Sequence, residues 1–206
     1  MQHTTTIILG SSSPFRRDLM QRLGLKFQVV APSIDETPQD DETPLALVRR
    51  LSVEKAHAVA AVIGGASTTA RPSAVIISSD QVAVIEGQVI GKPLGHERAV
   101  GQLEAASGKE VVYHTGLCVL ATDSMEVQLD VIQVRVGFRK LSRKRIEAYL
   151  AKDQPYQCAG SIRAEQAGPA LFRYVRTDDP TALIGLPLIR LTEMLETAGV
   201  DVLDGG

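Results

Sequence analysis

The chain has 206 residues, 44% of them hydrophobic and 22% charged, with a formal net charge of −2. Those values exclude a disordered or low-complexity polypeptide and provide enough apolar residues for one large domain or two small lobes. They also argue against a general nucleic-acid binder, which needs a clear basic excess, whereas a small phosphorylated ligand needs only a local cluster of cations.

No stretch approaches the ~18 consecutive apolar residues of a membrane span. The start, Met1 to Thr6, has neither a basic segment nor a long apolar run, so no signal peptide is expected. Cys118 and Cys158 form no CxxC pair, and Cys118, inside Leu117-Cys118-Val119-Leu120, reads as a buried small hydrophobe. A cytoplasmic, reduced protein is expected, with no membrane or nucleic-acid partner.

Ile7 to Leu9 reads as a short strand. A helix follows, with Ser13 as its N-cap, Pro14 at its first position and Gly24 as its stop. Phe15, Leu19, Met20 and Leu23 fall on one face of it. A strand at Phe27 to Val30 leads to an acidic loop from Asp35 to Glu42. Thr43-Pro44 opens a long helix that ends at Gly64-Gly65, with Val48, Leu51, Val59 and Val62 in its apolar stripe. Lys55 lies on that stripe, four residues from Leu51 and from Val59, where a lysine snorkels or has a partner.

Gly64 to Ser73 reads as a surface loop. Ala74 to Ile77 is a buried strand ending in Ser78-Ser79-Asp80-Gln81, followed by a hairpin of Val82 to Ile85 and Gln88 to Ile90. A helix from about His96 to Ser107 stops at Gly108, and two strands cover Val111 to Ala121 and Val127 to Phe138. Ser142 caps a helix to about Lys152, with Leu141 and Ile146 as a hydrophobic staple. A polar loop from Pro155 to Pro169 precedes a strand at Ala170 to Val175. The last helix begins after Gly185-Leu186-Pro187 and buries Leu188, Leu191 and Leu195. The mixture of strands and helices, without internal repeats, is α/β.

Several clusters carry candidate chemistry. At Ser11-Ser12-Ser13-Pro14-Phe15-Arg16-Arg17, a strand-to-helix turn offers backbone N–H groups, hydroxyls and two guanidinium forks suited to phosphate oxygens. A plain N-cap with surface arginines fits the same spacing, and GxxxxGK[ST] is absent. Asp80, at the carboxyl end of a buried strand, is placed to orient a water or hold Mg²⁺, or else to cap its own turn. Lys55 and Lys92 are either substrate cations or ordinary ion-pair partners. Asp35-Glu36 is a metal candidate within a run that otherwise reads as solvated. The basic cluster Arg139, Lys140, Arg143, Lys144 and Arg145 lacks interleaved aromatics and reads as a wet helix start.

Taken in order, Ser11-Ser12-Ser13-Pro14-x-Arg16-Arg17, Asp35-Glu36, Glu54-Lys55-Ala56, Ser79-Asp80-Gln81, Gly91-Lys92-Pro93, Ser107-Gly108, Thr115-Gly116, Ala159-Gly160-Ser161 and Gly185-Leu186-Pro187-Leu188 resemble the Maf family over about residues 7 to 203. The resemblance implies a mixed twisted sheet flanked by helices, with two lobes and a central cleft, as in the Maf and ITPase-like folds. The whole chain, 1–206, would form one catalytic domain. It also implies a nucleoside triphosphate pyrophosphatase that uses a divalent cation, Mg²⁺ or Mn²⁺. Asp80 matches the family's proton acceptor, Arg16, Lys55 and Lys92 its phosphate-facing cations with Ser11 beside them, and Glu36 a carboxylate near the metal.

Phe15, Gln81 and Glu165 are similar to the 7-methyl-GTP (YceF-like) branch. N7-methylguanine is cationic, so an aromatic face at Phe15 would attract it, and a Glu165 carboxylate would accept from its N1–H and N2–H₂ edge. Gln81 could read a base oxygen or amide. The alternatives are dTTP or UTP as substrate, or a nucleotide-binding regulator of septum formation without turnover. The expected partner is a nucleoside triphosphate, with homodimerisation left open.

Overall fold

The computed structural model describes residues 5–64 and 73–203. The surface loop expected between Gly64 and Ser73 therefore lies, for residues 65–72, outside the described chain, as do residues 1–4.

The strands are β1 (Thr6–Gly10), β2 (Phe27–Val29), β3 (Ala74–Ile85), β4 (Gln88–Ile90), β5 (Glu110–Ala121), β6 (Glu126–Phe138) and β7 (Phe172–Arg176). The helices are α1 (Pro14–Gln21), α2 (Pro44–Gly64), α3 (His96–Ala106), α4 (Arg143–Asp153) and α5 (Leu188–Thr197). All described strands join one mixed sheet in the order β2-β1-β3-β5-β6-β7, with β4 hairpinned onto β3. β1 runs parallel to β2 and β3, and the other pairs are antiparallel.

Alternation along β3 decides which helix meets which face. Val75 and Ile77, with Ile7, Leu9, Leu117 and Val119, pack under Leu19 and Met20 of α1 and Leu191, Met194 and Leu195 of α5. Ala74 and Ile76, with Ile8, Cys118 and Leu120, pack on Ala56 and Val59 of α2. Farther along, Ala83 and Ile85 join a core of α3 and α4 side chains with Tyr113, Val134 and Val136. One face therefore carries α2, while the other carries α1 and α5 at one end and α3 and α4 at the opposite end. Cys118 is a fully buried core residue, and burial raises its thiol to about 11.

Three details differ from the sequence expectation. β3 does not end at Ile77 but continues through Ser78-Ser79-Asp80-Gln81 to Ile85, because β5 keeps pairing with it, Asp80 opposite Gly116. Its parallel neighbour β1 does stop there, at Gly10 opposite Ser78. Val62 lies at 65% exposure rather than on the inward stripe of α2. Phe15 is half-buried outside the apolar cluster that Leu19, Met20 and Leu23 join.

The acidic loop is more than a solvated run. Arg50 of α2 binds Glu42 at 2.7 Å through both Nε and one terminal nitrogen, and also reaches Glu54 at 3.0 Å and the Thr37 carbonyl at 3.1 Å. That clamp fixes the segment carrying Glu36 against α2. The basic helix start is likewise stitched in place: Arg143 pairs with Glu147 and Glu104, while Arg139 and Arg145 donate to the Phe172 and Ala170 carbonyls. Among the described residues, no helix is long and apolar enough to cross a membrane.

Gly116 sets the distance between α2 and the sheet, since a Cβ there would lie 2.5 Å from both the Ser52 Oγ and the Val48 carbonyl oxygen. Backbone cannot yield to such a contact cheaply, so Gly116→Ala is expected to destabilise the fold by about 1–3 kcal/mol. Chemical denaturation checks this; an unchanged midpoint would show that α2 has room to shift.

The Arg50 hydrogen bonds hold the Glu42 carboxyl down from 4.5 to about 2. A carboxyl depressed on folding stabilises the native state above its unfolded value, and that contribution is lost as pH falls from about 4.5 towards 2. Glu42→Gln should therefore lower the melting temperature at neutral pH and flatten its decline below pH 4.5. Thermal melts from pH 2 to 7 read both effects.

Candidate active site

Where α2 crosses β3, polar contacts replace apolar ones. The Ser78 hydroxyl donates to the Ser52 carbonyl at 2.6 Å, and the Asp80 N–H donates to the Ser52 hydroxyl at 3.1 Å. Ser52 Oγ in turn donates to the Val48 carbonyl at 2.7 Å. These contacts, with the missing side chain of Gly116, bring Lys55 over the sheet one turn later. Its ammonium is 2.6 Å from Asp80 Oδ1 and 2.8 Å from Glu36 Oε1.

Lys55 and Asp80 are nearly enclosed, with side-chain exposures of 6% and 10%. Burying either charge alone would cost several kcal/mol, so each side chain offsets the cost of placing the other here. Asp80 Oδ1 takes the lysine proton donor, and Oδ2 has no hydrogen-bond partner among the described residues. Burial pushes the Glu36 carboxyl upward, but the Lys55 hydrogen bond and charge, with Lys92 and Arg16, hold it below its usual value.

This corner opens into a cavity of about 820 Å³. Its lining includes Ser11, Phe15, Arg16, Glu36, Lys55, Asp80, Gln81, Lys92 and Glu165. Ser11 to Ser13 form the turn at one wall. The Ser11 hydroxyl accepts from the Ser13 N–H, and the Ser13 hydroxyl caps α1 by accepting from the Arg16 N–H. Arg17 is exposed, so of the two arginines only Arg16 joins the cavity. Burial lowers the Arg16 guanidinium from its ordinary value, opposed by the charges of Asp80 and Glu36.

Charge is unevenly cancelled in the cavity. Lys55 is held between two carboxylates, and Arg163 pairs with Glu165 at 3.2 Å. The Arg16 side chain donates to the neutral Gly185 carbonyl, at 2.8 Å, and among the described residues neither Arg16 nor Lys92 has an ion pair. Two cations thus stand without a carboxylate of their own beside a turn lined with hydroxyls, an arrangement suited to a polyanion.

Other positions emerge only in three dimensions. Asp179, 2% exposed, accepts from the Thr181 N–H and hydroxyl through Oδ1 and from the Ile189 and Arg190 N–H groups through Oδ2. It thereby ties the turn before α5, including Gly185, whose carbonyl accepts from Arg16 and from the Ser79 hydroxyl at 2.9 Å. Gln81 points to the sheet face opposite Asp80. Its amide nitrogen donates to Thr115 Oγ1 at 2.9 Å and to the Ala182 and Leu183 carbonyls at 2.8 and 3.3 Å. That nitrogen is committed to the scaffold, so base reading by Gln81 is confined to its carbonyl oxygen. Asp35 accepts from the Thr37 N–H at 2.9 Å and serves its own turn.

The α/β fold is similar to that in the solved structure of the Staphylococcus aureus Ham1 protein, which matches at a TM-score of 0.52 and 12% identity, over 94% of this chain and all of that one. Residues 6–198 match the family described as Maf, Maf-like protein, and the chain belongs to that family. A Nitrosococcus oceani protein named 7-methyl-GTP pyrophosphatase is 52% identical over 96% of both chains. Proteins of the same name from Methylobacillus flagellatus and Albidiferax ferrireducens are 49% and 47% identical, each over 96% of this chain and 98% and 95% of their own.

The buried pair predicts non-additive stability. Lys55→Met leaves Asp80 without its counter-charge and should cost about 3 kcal/mol, much of which returns when Asp80→Asn is added. Denaturant unfolding of both single variants and the double variant measures the coupling; strictly additive losses would mean that the pair does not interact.

Proposed function

We propose that this protein hydrolyses 7-methyl-GTP to 7-methyl-GMP and pyrophosphate. The observation that carries the reading is the open Oδ2 of Asp80. Its twin oxygen is fixed by Lys55 at 2.6 Å, and it lies in the same cavity as the two cations without carboxylate partners, Arg16 and Lys92. Sequence identity to proteins named for this activity supports the choice of nucleotide.

In this mechanism a water hydrogen-bonded to Asp80 Oδ2 attacks the α-phosphorus in line with the bond to the β-phosphate oxygen. Asp80 accepts the water proton, the P–O bond breaks, and pyrophosphate departs with the electron pair. Arg16 and Lys92 hold the β- and γ-phosphate oxygens and offset the charge that grows on them, while the Ser11 turn adds hydroxyl and backbone donors. Lys55 fixes the Asp80 rotamer and adds positive charge near the leaving group.

Glu36 and Asp80 also fit a divalent cation, because hard ions of the Mg²⁺ and Mn²⁺ type take one or two carboxylates and complete their coordination with phosphate oxygens and water. Such an ion, when bound, supplies further neutralisation of the triphosphate. The base would rest on Phe15, with Glu165 accepting from its N1–H and N2–H₂ edge. We further read the chain as one catalytic unit of two lobes, since β3 and β5 carry side chains into the apolar cores at both ends of the sheet. Free Cys118 and Cys158 accord with action in the reducing cytoplasm.

Asp80→Asn keeps the side-chain size and removes the proton acceptor, so kcat should fall by about 10²–10⁴ while KM changes little. Pyrophosphate release from 7-methyl-GTP, GTP, dTTP and UTP measures both the effect and the preference. Wild-type turnover by the variant would remove Asp80 from the mechanism. A preference for pyrimidines would reject the substrate, and binding without turnover would indicate a regulator.

A further inference from the structure

Arg163 is absent from every motif considered above, yet it touches the two groups assigned to the base. Its guanidinium carbon lies 5.0 Å from the Phe15 ring centroid, over the aromatic face. Its Nε donates to Glu165 Oε1 at 3.2 Å. All three residues line the cavity.

The backbone at this position is fixed independently of the side chain. The Arg163 N–H donates to the Tyr149 hydroxyl at 2.9 Å, and its carbonyl accepts from the Gly168 N–H at 3.1 Å. That carbonyl packs so closely on Gly168 that a Cβ there would lie 2.4 Å away. Among the described residues, the Arg163 side chain has one ring contact, with Phe15, and one ion pair, with Glu165, and it is 26% exposed. The bonds that hold the loop here involve the Arg163 backbone and not its guanidinium, so the loop does not depend on the guanidinium staying over Phe15.

The chemistry of Arg163 matches that of the proposed base. A guanidinium is planar, carries a delocalised positive charge, presents parallel N–H donors to a carboxylate and stacks on aromatic rings. N7-methylguanine shares each property: a planar cation whose N1–H and N2–H₂ form a two-donor edge. Arg163 already covers that face of Phe15, so a base that stacks there must displace it.

We propose that Arg163 is an internal competitor for the nucleobase, a side-chain mimic of the substrate cation that occupies Phe15 and Glu165 until the base displaces it. This inference rests on the reading of 7-methyl-GTP as substrate. Displacing Arg163 costs the same whatever base arrives. A cationic purine recovers both the stacking and the carboxylate contact. Uracil or thymine, neutral and with a single edge donor, recovers too little and is left held by its triphosphate alone. Arg163 thus sets a threshold that a base must exceed to dock, and so tunes how tightly the base subsite holds its nucleotide.

The test compares wild type with Arg163→Met and Arg163→Lys in steady-state hydrolysis of 7-methyl-GTP and in competitive inhibition by 7-methyl-GMP. Removal of the competitor should lower the inhibition constant by about 2- to 30-fold, the range expected for one cation–π contact. KM should fall with it, kcat should stay within about twofold, and Arg163→Lys should lie between. A merely structural role could raise these constants or lower kcat, but it would not tighten binding. An unchanged or raised inhibition constant in Arg163→Met, with wild-type turnover of 7-methyl-GTP intact, overturns this inference alone. Absence of wild-type turnover overturns the functional reading and this inference together. If Arg163→Met does not fold, Arg163→Lys carries the same comparison with a smaller expected gain.

Discussion

The ion pair between Lys55 and Asp80 joins the long helix to the central strand, and most features of the site follow from placing it. Two opposite charges this far from water are stable only in good geometry with their remaining hydrogen bonds satisfied. The protein meets that condition by bringing α2 unusually close to β3 and β5. Gly116 removes the side chain that would hold the helix away, and Ser52 accepts across the gap from the Ser78 hydroxyl and the Asp80 N–H. Lys55 then reaches Asp80 without displacing its own helix, and Glu36 is delivered to the same ammonium by a loop that Arg50 clamps through Glu42. A helix that packed by apolar contacts alone would tolerate sliding. This one is pinned to a register.

That register also explains why the opposite face of the sheet matters. Ser79 and Gln81, which alternate with Asp80, spend their polar groups on the turn at residues 182–185. The same turn presents the Gly185 carbonyl to Arg16 and is itself tied by Asp179. The strand segment Ser78 to Gln81 is thus held from both sides, by α2 above and the pre-α5 turn below. It carries the Asp80 carboxylate in the middle of a continuous strand. The cations that remain without carboxylate partners come from separate elements, Arg16 from α1 and Lys92 from the stretch after β4, so each is free to meet a ligand.

Periodicity made much of this readable. Lys55 stood out because spacing put a lysine on an apolar stripe, where desolvation demands a partner, and a partner is what the fold supplies. The N-cap at Ser13 and the hairpin onto β4 followed from turn chemistry. The end of β3 was misplaced because Ser78-Ser79-Asp80-Gln81 looks like a polar exit from a strand; the groups that satisfy it lie 26 to 106 residues away in sequence. Asp179 and Arg163 were invisible for the same reason. One works by collecting backbone donors from a folded turn, the other by meeting a phenyl ring on a distant helix, and neither arrangement leaves a local pattern. Phe15 shows the limit of helical spacing, since its position relative to Leu19 suggested the core while the cavity wall claims it.

The central claim is that the carboxylate fixed by Lys55 directs water at the α-phosphorus. Hydrolysis of 7-methyl-GTP in ¹⁸O-enriched water, with mass analysis of both products, tests it at the bond concerned. Label confined to the nucleoside monophosphate is the predicted result. Label in the pyrophosphate would mean attack at the β-phosphorus and would contradict the account.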